Sequence, residues 1–92
     1  MDPITSEEDI VYLIGKFYFQ NNDYKKAIKI YKKGLVNNPH SMILLYETGL
    51  AYLKLKNHKR ALKYWRKLFK IDPCSFLAVK IRQRLKRQKS KQ

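Results

Sequence analysis

Residues 11–41 read VYLIGKFYFQNNDYKKAIKIYKKGLVNNPHS, and residues 45–75 read LYETGLAYLKLKNHKRALKYWRKLFKIDPCS. Laid one over the other, Gly15 falls on Gly49, Tyr18 on Tyr52, Ala27 on Ala61, Tyr31 on Trp65 and Pro39 on Pro73, each pair 34 residues apart. A fixed period of this size marks a solenoid, in which each unit buries its apolar face against its neighbours. Such a chain presents a surface rather than a catalytic pocket.

Working outward, the polar punctuation sets helix limits. Ser6 caps a helix over 7–20, with Glu7, Glu8 and Asp9 in its first turn to meet the helix dipole. Asn21-Asn22-Asp23 breaks it, and Asp23 caps a second helix over 24–36. Asn37-Asn38-Pro39 ends that helix, since the residue before proline avoids the helical region. Ser41 caps a third over 42–55, Asn57 a fourth over 58–71, and Ser75 a fifth from Phe76 to about Lys89. Residues 90–92 are expected to fray. Nothing alternates at strand period, so the expected class is all-α. On the first helix of each pair, Val11, Ile14, Gly15 and Tyr18, then Leu45, Thr48, Gly49 and Tyr52, share one face. The second helices answer with Ala27, Tyr31 and Gly34, and with Ala61, Trp65 and Leu68. Gly and Ala there let helices approach closely, and the rings fill the space beside them.

These residues, in this register, resemble the tetratricopeptide repeat. Residues 8–41 match as Val11, Ile14-Gly15, Tyr18, Ala27, Tyr31 and Pro39, and residues 42–75 as Leu45, Thr48-Gly49, Tyr52, Ala61, Trp65 and Pro73. Val11 and Leu45 stand where the repeat has Trp, and Thr48 where it has Leu. The resemblance implies a right-handed α-solenoid of two antiparallel helix hairpins plus a capping helix, five helices in all. Residues 1–6 are then a lead-in, 7–89 one domain, and 76–89 the closing helix, whose narrow apolar stripe is Leu77, Ala78, Ile81 and Leu85.

Composition agrees with a small binding domain. Ninety-two residues make one domain at most, and 45% hydrophobic content excludes disorder by composition. The formal charge is +14; four of the seven acids and none of the 21 bases lie in residues 1–15, which leaves +18 on the remainder. That density draws anionic partners at long range, or serves solubility alone. No run approaches the length of a membrane span, and residues 1–9 lack the basic start of a secretory signal. The lone Cys74 excludes an internal disulfide and a cysteine-based zinc site, and suits a reducing, cytoplasmic setting.

Three surfaces are candidates for function. By the resemblance, the first helices line a concave groove that takes a protein or peptide partner: Asp9, Tyr12, Lys16 and Phe19, then Ile43, Tyr46, Leu50 and Leu53, with Lys80 and Arg84 from the closing helix. Its aromatic anchors and basic rim would suit an apolar segment carrying acids; otherwise these residues pack between helices. The Asn pair that some family members use to clamp a chaperone's C-terminal carboxylate is absent, and Glu47 has the wrong sign for that role. The second surface is convex and basic, built on Lys29, Lys33, Lys63, Arg66 and Lys67 with their lysine and arginine neighbours. It is an alternative site for nucleic acid or another polyanion, although no aromatics interleave with these cations and no nucleic-acid motif is present. The third is the N-terminal end. Residues 10–19 hold one charge, Lys16, and Ile10, Leu13 and Phe17 point where a preceding repeat would lie. That end would pair with another copy or another protein, unless Pro3 and Ile4 fold over it.

Catalysis is not expected. His40 and His58 sit in turns without an acid partner, the acids form neither a paired-carboxylate nor a metal-ligand pattern, and the three glycines sit at packing positions rather than in a phosphate-binding loop. No cofactor or metal is implied. Cys74, after Pro73 at a repeat joint, is expected to be small and buried.

Overall fold

The computed structural model describes residues 6–90. Five helices follow in order: α1 Glu7–Gln20, α2 Tyr24–Asn37, α3 Met42–Lys54, α4 His58–Ile71 and α5 Phe76–Ser90. No strand occurs among the described residues. The lead-in over 1–5, including Pro3 and Ile4, and residues 91–92 of the frayed tail lie outside them.

Each helix starts where a polar side chain can satisfy its free amides. Asp9, Lys26, Leu44, Arg60 and Ala78 donate backbone N–H groups to the side chains of Ser6, Asp23, Ser41, Asn57 and Ser75, at 3.1–3.3 Å. The helix ends repeat as well. Asn22 and Lys56, 34 residues apart, both adopt φ 66°. Beside them Asp23 N–H donates to Tyr18 O at 2.8 Å and Asn57 N–H to Tyr52 O at 2.9 Å, which closes α1 and α3 with the same left-handed cap.

The helices pack as two hairpins, α1 with α2 and α3 with α4, with α2 against α3 between them and α5 on α3 and α4. Trp65, Tyr31, Leu44, Leu45, Leu68, Ile81 and Thr48 are the largest fully buried side chains. Gly15 and Gly49 are under the two central rings. A Cβ on Gly15 would come within 2.7 Å of Tyr31 Cδ1, and one on Gly49 within 2.6 Å of Trp65 Cε2. The missing side chain thus makes room for a ring from the hairpin's second helix, and Trp65 is further held by its Nε1–H, which donates to Tyr46 O at 3.2 Å. Near the N-terminus Asn37 Nδ2 donates to Glu7 at 2.8 Å, which ties α1 to α2, and the Ser41 hydroxyl donates to Glu8, which ties the two hairpins.

Two burial expectations fail. Ile14 was expected on the packed face with Gly15, yet it is 46% exposed, whereas Thr48, one period later, is fully buried. Within residues 6–90 the α1–α2 hairpin precedes α3 and packs against it, and no hairpin precedes α1. Cys74 is exposed: its turn stays at the surface, fastened by the Cys74 N–H donating to Asp72 Oδ1 at 3.1 Å. His58 opens α4 rather than lying in a turn, and is exposed.

Candidate partner-binding groove

A single concavity runs across α1, α3 and α5. Its walls are Tyr12, Lys16 and Phe19 from α1, Ile43, Tyr46, Glu47, Leu50 and Lys54 from α3, and Leu77, Lys80 and Arg84 from α5. Steps of three and four residues along each helix keep these side chains on one face, so three helices in parallel register present three rows.

The rows differ in depth. Tyr46 and Leu50 are buried, at 5% and 8% exposure, and belong to the core cluster of Trp65, Leu68, Ala78 and Ile81. They form the floor and also pack between helices. Tyr12, Lys16, Phe19 and Leu77 are half-buried walls, and Lys80 and Arg84 stand exposed at the rim. Leu53 does not line the concavity. It packs against the cluster of Ala51, Tyr52 and Ala61 as well as that of Tyr46, Leu50 and Trp65, and Lys54 lines the groove one residue on. Asp9 is exposed at the N-terminal end of α1 and is not part of the lining. Lys54 and Leu77 are additions that the sequence reading missed, although both continue the same helical rows.

The electrostatics centre on Glu47. Lys16 Nζ donates to its two carboxylate oxygens at 3.3 and 3.5 Å. The carboxylate is 4% exposed and the lysine 29%. Burial pushes the Glu47 carboxyl above the usual range, and Lys16 and then Lys80 pull it back in part. Lys16 also lies 5.0 Å over the Phe19 ring, and Lys80 lies 5.7 Å over Tyr46 and 5.4 Å over Phe76. With Glu47 answered by Lys16, the cations Lys54, Lys80 and Arg84 have no further acid in the lining. Beneath the groove, Tyr31 is fully buried, its hydroxyl lacks a hydrogen-bond partner among the described residues, and burial raises its pKa well above the ordinary range.

On the convex side Lys29, Lys33, Lys63, Arg66 and Lys67 are all exposed. Aromatic rings do accompany cations of α4 and α5, contrary to expectation: Lys67 lies 5.7 Å over Tyr64, Arg60 6.0 Å over Tyr52, and Arg82 5.2 Å over Phe69. A shallow cleft beside them is lined by Lys32, Val36, Pro39, Tyr64 and Lys67. At the N-terminal end Ile10, Leu13 and Phe17 are 44%, 62% and 60% exposed. Among the described residues no three of His, Cys, Asp or Glu gather as a metal site, and no helix is long and apolar enough to cross a membrane.

Comparison with known proteins agrees with this architecture. Residues 3–68 match the family model described as Anaphase-promoting complex, cyclosome, subunit 3. BBSome complex member BBS4 of Bos taurus is 32% identical over 75 residues, which is 80% of this chain and 14% of that protein. Tetratricopeptide repeat protein 21A of Mus musculus is 28% identical over 69 residues, 75% of this chain and 5% of that protein. The chain therefore spans a small part of the length of these relatives. With the 34-residue register, the paired hairpins and a family model covering most of its length, the chain belongs to the tetratricopeptide repeat family, through the family of Anaphase-promoting complex, cyclosome, subunit 3.

Proposed function

We propose that this chain is a non-catalytic protein–protein interaction module, an adaptor or assembly factor, that holds a partner segment in its concave groove. The observation that carries this is the composition of one concavity: an apolar floor of Tyr46 and Leu50, aromatic walls of Tyr12 and Phe19, and cations at Lys80 and Arg84. Such a surface binds an extended or helical segment that offers apolar side chains to the floor and carboxylates to the rim. Membership of the repeat family supports protein binding, and one relative is by its name a member of a complex. A cytoplasmic setting goes with this role, since the exposed thiol of Cys74 suits a reducing compartment.

A second function is favoured by one specific observation. Exposed Lys63, Arg66 and Lys67 line α4, with Lys67 over the Tyr64 ring, and such a surface attracts nucleic acid or another polyanion. Affinity capture from native lysate, with and without nuclease, separates the two. Groove binding predicts capture that survives nuclease and charge reversal at Lys63, Arg66 and Lys67, and fails with Tyr12→Ala and Lys80→Glu. Polyanion binding predicts the reverse, with affinity falling steeply as salt rises.

A further inference from the structure

On the convex side α2 and α4 both pack on α3, and their backbones do not touch each other. A trough therefore lies between them. Its floor is the buried side chain of Leu45 from α3. Leu35, Val36 and Pro39 form one wall, and Tyr64 and Lys67 the other, with Lys32 at the edge. At Pro39 and Lys67 the trough passes into a second concavity that adds His40, Lys70 and Ile71. Tyr64, Lys67 and Ile71 stand at steps of three and four along α4, one row that spans about 10 Å at about 1.5 Å per residue. An extended segment, rising about 3.3 Å per residue, crosses it in about three residues.

The chemistry of this trough does not come from the repeat. Val36 is 79% exposed and Ile71 39% exposed, on a face otherwise rich in lysine and arginine. One period after Val36 stands Lys70, and one period before Ile71 stands Asn37, so the repeat requires an apolar residue at neither place. No acid lines either concavity. Lys32 and Lys70 make no ion pair among the described residues, and Lys67 lies 5.7 Å over the Tyr64 ring. The nearby acids are engaged elsewhere: Asp72, next to Ile71, accepts from the Cys74 N–H, and Glu8, which shares a concavity with Pro39 and His40, accepts from the Ser41 hydroxyl. An apolar slot edged by three cations, with no acid of its own, is complementary to an apolar group flanked by carboxylates.

We propose that this trough is a second docking site, for a short extended acidic segment of another protein that carries one apolar side chain between acids. The apolar side chain enters between Val36 and Tyr64, over Leu45. Its neighbours in an extended segment point the other way, toward the rim, where Lys32, Lys67 and Lys70 are exposed. Other occupants fit less well. A second copy of this chain brings a charge of +14 and only seven acids. A nucleic-acid backbone has no use for Leu35, Val36 and Ile71, and a bilayer surface is too broad to reach Leu45 in a slot about one helix wide, about 10 Å. Lys63 and Arg66 lie outside the lining, and no residue is shared with the concave groove. The trough therefore does not rest on the groove's function. A partner that offers segments to both gains affinity through effective concentration.

The test is a methyl NMR titration of the full chain with the peptide acetyl-Asp-Glu-Leu-Glu-Asp-amide. Saturable shifts should appear at the methyl groups of Val36, Leu45 and Ile71. Replacing the central Leu of the peptide by Ser should weaken binding about tenfold or more. So should Val36→Asp and Lys67→Glu in the chain, both at exposed positions and both with an unchanged circular-dichroism spectrum, whereas Lys63→Glu should change affinity by less than about twofold. A chain with Tyr12→Ala and Lys80→Glu, whose groove is disabled, should give the same shifts at Val36, Leu45 and Ile71, so the two sites are read separately. A uridine pentanucleotide should leave the Leu45 methyl groups unmoved. Shifts confined to groove residues, equal binding of the Ser peptide, indifference to Val36→Asp, or a pentanucleotide that moves Leu45 as the peptide does would each overturn the proposal.

Discussion

Lys16 Nζ lies 3.3 Å from Glu47 Oε1, a contact between α1 and α3 across the floor of the groove and between residues 31 apart in sequence. Neither position follows the repeat: one period from Lys16 stands Leu50, and one period before Glu47 stands Leu13. The pair is thus specific to this junction of hairpins, and it decides how the groove responds to pH.

Because burial raises the Glu47 carboxyl above its unfolded value, the folded chain holds that proton longer than the unfolded chain. The stabilising contribution is full below the ordinary carboxylate range and is lost as pH rises through the raised folded value. Urea unfolding across the mildly acidic range should show this decline for the wild type and a flatter profile for Glu47→Gln. Lys16→Met should carry the decline to higher pH, since Lys16 holds the shift down. Equal slopes in all three proteins would remove Glu47 as the cause.

Gly49→Ala should destabilise the fold by about 1–3 kcal/mol, as overpacking does, because the Trp65 ring below it is fully buried and tied to Tyr46 O. Gly15→Ala should cost less. Its ring is Tyr31, whose hydroxyl has no hydrogen-bond partner among the described residues, and α1 is exposed on its far side and can shift. Denaturant midpoints for the two variants give the comparison, and a larger loss for Gly15→Ala would be the wrong order.

Lys56 holds φ 66° without the local hydrogen bonding that suits Asn to the left-handed region. Asn22 occupies the same place one period earlier. Lys56→Asn should therefore stabilise by roughly 0.5–1 kcal/mol, from relief of backbone strain. A thermal melt that shifts downward would contradict this.

Helix limits were legible because each start carries its own cap, from Ser6 to Ser75, and capping is local chemistry. The groove was legible in part through the family resemblance, which implies a concave face lined by the first helices and so put Tyr12, Lys16, Tyr46 and Lys80 together. What failed depends on neighbours rather than residue type. Ile14 and Thr48 share a register, and a preceding hairpin, which α3 has and α1 lacks among the described residues, makes one buried and leaves the other exposed. Cys74 was misjudged because its turn lies outside the packed helices. Lys67 over Tyr64 could have been found from the three-residue step on α4. Arg82 over Phe69 spans two helices and leaves no trace in the spacing.

The most direct test of the groove is chemical-shift mapping on the full chain with a peptide selected on it from a random displayed library. The account predicts selected sequences that combine Asp or Glu with aromatic or aliphatic residues. It predicts amide shifts at Tyr12, Lys16, Phe19, Tyr46, Leu50, Lys80 and Arg84. Affinity should fall about tenfold or more with Tyr12→Ala or Lys80→Glu and hold with Lys63→Glu. Shifts confined to the outer faces of α2 and α4, with affinity lost on Lys63→Glu and kept on Tyr12→Ala, would contradict it.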